Sequence, residues 1–353
     1  MSIKRIGVLT SGGDTSGMNA AIRAVVRTSI YYGLEPIGIA RGYAGLVDGD
    51  FTPMTFQSVS RIMRQGGTVL YSDRCEEFKT PEGQKKAYEN CVRAGIEGIV
   101  VIGGDGTFRG AGDMGKMGIS CICIPGTIDN DITATDYSIG FDTALDTIME
   151  MVDRLKDTCV SHARCSIVEV MGRGAGLLAL YSGLACGAAG IIVKEKCFDE
   201  EIFFEKMRES KQKGRRDFVV IVSENMGEHF AEDLCKRITE ETGIYTRFAR
   251  LAHVQRGGVP TVRDRVTASR MGCEAVQLLM KGVSNVVVCE RHNDIVTYDI
   301  NFALRLDELY KGKMSIQEIE AIPHDDYLKM MEIIKERQDE FNQIHRINTI
   351  FTL

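Results

Sequence analysis

The apolar positions of this chain fall into two alternating patterns. Short β-branched runs recur at 6–10 (IGVLT), 99–104 (IVVIGG), 121–126 (CICIPG), 166–170 (SIVEV), 190–193 (GIIV), 218–225 (FVVIVSEN) and 286–290 (VVVCE). Between them lie longer stretches with apolar residues at helical spacing, the first being MNAAIRAVVRTSIYYG at 18–33. Apolar runs alternating with helices predict parallel strands covered on both faces. The expected fold class is therefore α/β, with doubly wound, largely parallel sheets. Several runs end in a loop rich in glycine. In such sheets ligands bind outside the carboxyl ends of the strands, so these loops are the first functional clue.

At 353 residues the chain is long enough for about two domains. A boundary is expected near residue 140, after the TDYSIGFDTA loop. The tail reads as a separate docking helix. Tyr327, Met331, Ile334, Phe341 and Ile344 form its apolar stripe, and Pro323 with Asp325 supplies the start signal.

Composition narrows the function classes. Hydrophobic residues make up 44% and charged residues 26%, with a net charge of −6. That balance argues against a nucleic-acid or anionic-membrane partner, since both need clustered positive charge. No apolar run reaches the roughly 20 residues needed to cross a bilayer, and the N-terminus does not read as a secretory signal. The 11 cysteines include no C-x-x-C pair and no metal spacing, as expected of reduced thiols in the cytoplasm.

Five loops carry candidate chemistry. SGGDTSGMN at 11–19 follows a strand and opens a helix, an arrangement that binds phosphate through backbone N–H groups. Met18 and Asn19 stand where a Walker-type P-loop needs Lys and Ser/Thr, so it is not that motif. GGDGT at 103–107 sets Asp105 among glycines, and Arg109 breaks the dinucleotide fingerprint. A carboxylate beside a phosphate cradle repels the ligand unless Mg²⁺ lies between them, which makes Asp105 a candidate metal anchor. PGTIDND at 125–131 places Asp129 and Asp131 two apart directly after a strand, with the Thr127 hydroxyl beside them. One carboxylate can take the proton of a nucleophilic alcohol. VEVMGRGAG at 168–176 holds Arg173, and HVQRGG at 253–258 holds His253 and Arg256. Arg164, Arg247 and Arg263 are further cations near these loops. Taken singly, each loop also reads as a tight turn, a helix cap or an Asx-turn, and each arginine as a surface cation. Together they supply what phosphoryl transfer needs: phosphate loops, a metal carboxylate, a base and a separate basic cluster.

With these motifs in this order, the chain closely resembles the bacterial-type ATP-dependent 6-phosphofructokinases, from about Lys4 to Tyr310. The resemblance implies a phosphofructokinase-like fold with an ATP-binding domain at 1–140 plus about 255–305. A fructose 6-phosphate-binding domain would span 141–254 plus about 306–322, followed by the helical tail at 323–353. It implies phosphorylation of the 1-hydroxyl of fructose 6-phosphate, the committed step of glycolysis. Asp129 would be the catalytic base and Thr127 would contact the transferred phosphoryl group. Arg173 and Arg74 would steady its charge, and Asp105 would hold Mg²⁺. Gly12, Arg74, Cys75, Gly104, Gly106 and Thr107 would line the ATP site. Met171, Gly172, Glu224, His253 and Arg256 would bind the sugar phosphate. Arg164 and Arg247 would reach the same phosphate across a subunit interface of a cytoplasmic homotetramer. Arg23, Arg27, Lys213 and Arg215 match effector-binding positions, but Phe56 and Ala189 replace the usual arginine and acidic residue.

Other readings have recognisable signatures. Pyrophosphate-dependent relatives typically read GGDD and PKTIDND where this chain has Gly106 and Gly126. NAD or lipid kinases share the GGDGT-type loop without the other motifs. A non-catalytic sensor would have lost one of Asp105, Asp129 and Asp131, and all three are present.

Overall fold

The computed structural model describes residues 3–351. Its strands, in chain order, are β1 (Arg5–Thr10), β2 (Glu35–Ile39), β3 (Phe51–Pro53), β4 (Gly98–Gly103), β5 (Ser120–Pro125), β6 (Cys165–Val170), β7 (Gly190–Ile192), β8 (Phe218–Ser223), β9 (Thr246–Arg250), β10 (Val286–Arg291) and β11 (Asp294–Asp299). They form two sheets, and the chain divides into two compact units.

The first unit comprises 1–128, 132–142 and 256–335. Its sheet runs β11-β10-β5-β4-β1-β2-β3. The pairs β1–β2, β1–β4, β4–β5 and β5–β10 are parallel, while β3 and β11 add antiparallel edges. Alternate residues feed two cores. Leu9, Ile99, Val101, Cys121, Cys123 and Cys289 enter one, and Ile6, Val8, Val100, Ile102, Ile122 and Ile124 enter the other. Side chains two apart share a strand face, so a run apolar at every position fills both sides.

The second unit comprises 129–131, 143–255 and 336–353. Its sheet, β7-β8-β6-β9, is parallel throughout. Phe203, Phe204, Met207, Phe218 and Leu234 lead its core.

Two assignments from the sequence differ here. The 306–322 stretch groups with the first unit, because helix Ile300–Tyr310 buries Ala303 and Leu306 in that unit's core. The tail forms one helix, His324–Phe351, but it is not a separate body. Residues up to Lys335 group with the first unit and those from Glu336 with the second. Its buried positions are Met330, Ile333, Ile334, Arg337, Phe341 and Asn348. Ile334 and Phe341 of the expected stripe are buried and Tyr327 and Ile344 half-buried, but Met331 is 40% exposed, and the buried face also takes in Met330, Ile333 and two polar side chains.

All 11 cysteines are free and seven are buried. Burial pushes Cys91 up to about 12 and Cys186 up to about 11, which keeps both as unreactive thiols. Among the described residues no helix is long and apolar enough to cross a membrane.

Candidate active site

In the first unit the chain leaves β1 to pair with β2 on one side, then returns as β4 on the other. The carboxyl ends of β1 and β4 thus flank a topological switch point, where open α/β sheets bind ligands. Two of the sequence loops meet there. The Ser11 amide donates to Ile102 O at 3.0 Å, and Thr107 Oγ1 donates to Ser11 O at 3.1 Å. Thr107, expected to contact a nucleotide, is buried and joins the two loops. Gly12 has φ +86°, a conformation L side chains rarely adopt. A Cβ at Gly103 would collide with Ser11 O and the Thr107 hydroxyl, so the approach of the loops requires glycine there.

Helix Asp105–Lys116 begins directly after this junction. Its cap, Gly104, offers no side chain, and a Cβ at Gly104 or Gly106 would meet nothing within 4 Å. A glycine-lined helix N-terminus of this kind suits a phosphate chain. Arg74 and Cys75 belong to a segment tied to the same end of β1. Thr10 Oγ1 bonds Thr68 Oγ1 at 2.7 Å and Tyr71 O at 2.9 Å, and Ser72 Oγ donates to Gly12 O. Arg74 is exposed, and Cys75 is half-buried. Among the described residues no three His, Cys, Asp or Glu side chains form a metal cage. Asp105, the first residue of that helix, is of the type Mg²⁺ takes, typically one or two carboxylates plus phosphates.

The PGTIDND segment follows β5. Thr127 groups with the first unit, and Ser138 Oγ donates to its carbonyl at 2.6 Å. Asp129 to Asp131 group with the second unit. Asp129 and Asn130 are buried and Asp131 is half-buried.

In the second unit Met171, Gly172 and Arg173 follow β6, Glu224 follows β8 and His253 follows β9, while Arg164 and Arg247 lie at the amino ends of β6 and β9. Glu224, after β8, accepts the amides of Gly172 at 3.2 Å and Arg173 at 2.5 Å. Asn225 donates to Arg173 O at 2.6 Å, holding Arg173 at φ +57° with its side chain exposed. Gln255, wholly buried, accepts the Met171 amide at 2.9 Å and links the HVQRGG segment to the Met171–Arg173 turn. His253 is exposed beside it. Arg256 falls in the first unit, where its guanidinium packs on Gly13 and donates to Asp14 O at 3.3 Å. Arg164 and Arg247 are brought together: their guanidinium carbons lie 5.1 and 4.7 Å from the Tyr245 ring. Arg263 is engaged elsewhere, 4.2 Å over Tyr137 and 3.5 Å from Glu290.

Gln255, Asn225 and Tyr245 are not among the candidate site residues that the sequence singles out. Gln255 sits inside a recognised motif, but a lone glutamine has no signature of burial. Tyr245 has one weak signal, its place two residues before Arg247, just ahead of β9.

At the effector-matching positions, Arg23 and Arg27 lie one turn apart on helix Met18–Tyr31. Burial, then the nearby Arg27, pulls the Arg23 guanidinium below its usual value. Arg27 sits 4.0 Å over the Phe56 ring. In the second unit Lys213 pairs with Glu209 at 3.6 Å, and Arg215 Nε donates to Asp217 O at 2.9 Å. Ala189 is wholly buried in that unit's core.

Known proteins share this sequence and this fold. The family profile described as Phosphofructokinase matches residues 5–279. The ATP-dependent 6-phosphofructokinase of Halothermothrix orenii is 50% identical over 86% of this chain and 94% of its own length. That of Bacillus subtilis is 48% identical over 84% of this chain and 93% of its own. Among solved structures, phosphofructokinase from Saccharomyces cerevisiae superposes with a TM-score of 0.85 at 32% identity, over 96% of this chain. This chain spans 50% of the length of that yeast protein. A pyrophosphate-dependent phosphofructokinase from Marinobacter aquaeolei shares the fold, with a TM-score of 0.77 at 22% identity.

Proposed function

The chain belongs to the phosphofructokinase family, and from that premise we propose that it transfers the terminal phosphoryl group of ATP to the 1-hydroxyl of fructose 6-phosphate. The observation that carries the donor assignment is the helix start at 104–106, where a Cβ at Gly104 or Gly106 would meet nothing within 4 Å. Its glycines leave room for a nucleotide, whereas an aspartate at 106 would set a second negative charge against the phosphates. Gly126 points the same way. A Cβ there would already sit 3.2 Å from Ile102 and 3.3 Å from Met18, so this packing does not readily admit the lysine of pyrophosphate-dependent relatives.

In this reading Gly12, Arg74, Cys75, Gly104, Gly106 and Thr107 form the ATP site, with Thr107 acting through the loop it holds. Mg²⁺ on Asp105 would neutralise charge on the phosphates. Asp129 takes the proton from the acceptor hydroxyl, and Thr127, Arg173 and Arg74 steady the moving phosphoryl group. Met171, Gly172, Glu224, His253 and Arg256 bind the sugar phosphate. Glu224 does so while fixing the backbone of the Met171–Arg173 turn. The test is a coupled assay for fructose 1,6-bisphosphate with fructose 6-phosphate, Mg²⁺, and either ATP or pyrophosphate. Turnover with ATP supports the reading, and turnover with pyrophosphate alone overturns the donor assignment.

The enzyme would be a cytoplasmic homotetramer in which Arg164 and Arg247 reach the sugar phosphate of a neighbouring subunit. Their shared seat on the exposed Tyr245 ring supports a common target. A charge-assisted hydrogen bond is worth about 1.5–3 kcal/mol. Arg164→Ala and Arg247→Ala should each raise the KM for fructose 6-phosphate about 10- to 100-fold, with kcat little changed. Steady-state kinetics check this, and an unchanged KM in both variants would remove them from the site.

Regulation by a nucleoside diphosphate should be weak. Arg27 is occupied by Phe56, and Ala189 brings no carboxylate to a metal. Saturating ADP is expected to leave the KM for fructose 6-phosphate within roughly twofold of its value without effector. Phe56→Arg should increase the response. Strong ADP activation of the unmodified enzyme would contradict this account.

A further inference from the structure

The loop that carries the proposed base is held from a part of the chain that none of the sequence motifs includes. Asn130 lies between Asp129 and Asp131 and adopts φ +48°, the left-handed conformation that asparagine takes more readily than other non-glycine residues. Its carbonyl accepts a hydrogen bond from Arg337 Nη2 at 2.6 Å. Arg337 is only 7% exposed and sits on the tail helix, beyond the residues matched by the family profile. A buried guanidinium is costly to leave without polar partners, so the contact is strongly favoured once the helix is in place.

The helix around Arg337 is itself moored. Tyr181 Oη donates to Glu340, Lys196 Nζ to Asn342 Oδ1 at 2.8 Å, and Asn348 Nδ2 to Leu180 O at 3.2 Å. Tyr181 and Leu180 belong to helix Leu177–Cys186, which begins directly after the loop holding Arg173. Arg337 therefore stands on a fixed support within the second unit. From there it fixes the plane of the Asn130–Asp131 peptide, one residue on from Asp129.

We propose that Arg337 is a positioning residue for the catalytic loop, its hydrogen bond to Asn130 keeping Asp129 aligned with the acceptor hydroxyl. This rests on the assignment of Asp129 as the base. Placement matters because a displacement of about 1 Å at a reacting group can lower the rate about 100-fold. A base out of line slows the chemical step but leaves substrate binding intact, so the signature is a fall in kcat at constant KM.

The experiment compares wild type, Arg337→Met, Arg337→Lys and the mooring control Asn348→Ala. It reads kcat, both KM values, Tm, and hydrogen–deuterium exchange of the 125–134 segment. Arg337→Met should exchange faster in that segment and lose kcat about 10- to 100-fold, with both KM values within roughly twofold. Arg337→Lys should recover part of kcat, and Asn348→Ala should lower Tm while keeping kcat. If Arg337→Met does not fold, Arg337→Lys carries the same comparison of exchange and kcat. Unchanged exchange at 125–134 overturns the positioning role whatever the activity. So does a kcat loss in Asn348→Ala as large as that in Arg337→Met. An inactive wild type overturns the proposed reaction, and faster exchange in Arg337→Met would then still support the anchoring of the loop.

Discussion

Asp129→Ser should yield a folded protein whose kcat with ATP and fructose 6-phosphate is about 10²–10⁴-fold below wild type. The range is that of a positioned general base, which removes the proton as the hydroxyl attacks. Asp129 is 5% exposed, in the segment directly after β5. Serine keeps a small polar group but cannot act as a base near neutral pH. The KM values should move much less than kcat, because the proton leaves only as the transition state forms. Asp131 supplies the internal comparison. It is also acidic and two residues away, but it is less buried. Asp131→Asn should therefore cost clearly less than Asp129→Ser. Coupled steady-state assays of both variants, with Tm recorded, decide the matter. A kcat for Asp129→Ser close to wild type would end its assignment as base, and a larger loss at Asp131 would transfer the role there.

Gly106→Asp carries the second large effect, on nucleotide binding. The added side chain has space, since nothing lies within 4 Å of a Cβ at this position. It also falls in the first turn of helix Asp105–Lys116, where a negative charge favours the helix dipole. Stability should therefore hold, with Tm moving by no more than a few degrees. Binding should not hold, because the new carboxylate faces the phosphates. Two like charges about 4 Å apart repel by up to about 4 kcal/mol at an effective dielectric near 20. The KM for ATP should rise by about two to three orders of magnitude, with the KM for fructose 6-phosphate little changed. Calorimetric titration with Mg-ATP gives the same answer without turnover. Unchanged ATP affinity in a folded variant would refute the steric and electrostatic account of the donor.

The strands that were legible in the sequence are those buried on both faces. β4, β5, β8 and β10 are apolar at almost every position, so their runs stand out in any order of reading. β9 (TRFAR) and β11 (DIVTYD) are edge strands with charged or exposed alternate positions, and β3 has only three residues. Their pairing comes from neighbours far along the chain, and local composition does not reveal it. The tail shows the same division. Its helix and the burial of Ile334 and Phe341 could be read from periodicity, but that Met330 and Ile333 are buried and Met331 exposed depends on the surface the helix packs against.

The site divides along the same line. The sequence alone determined the candidate inventory, because phosphate loops take glycine at particular spacings and a carboxylate in a loop after a strand can serve as a base. Those requirements act over a few residues, so they are written locally. The tertiary structure alone decided which groups act through others. Thr107 ties Ser11 to the helix start, and Glu224 and Asn225 hold the backbone of Arg173. Gln255 clasps Met171, Arg256 rests on Gly13, and Arg337 reaches Asn130 from 207 residues away. Each of these contacts joins groups distant along the chain. A hydrogen bond formed by chain crossing leaves no periodicity at either end, and only the folded arrangement of strands and helices brings its partners within reach.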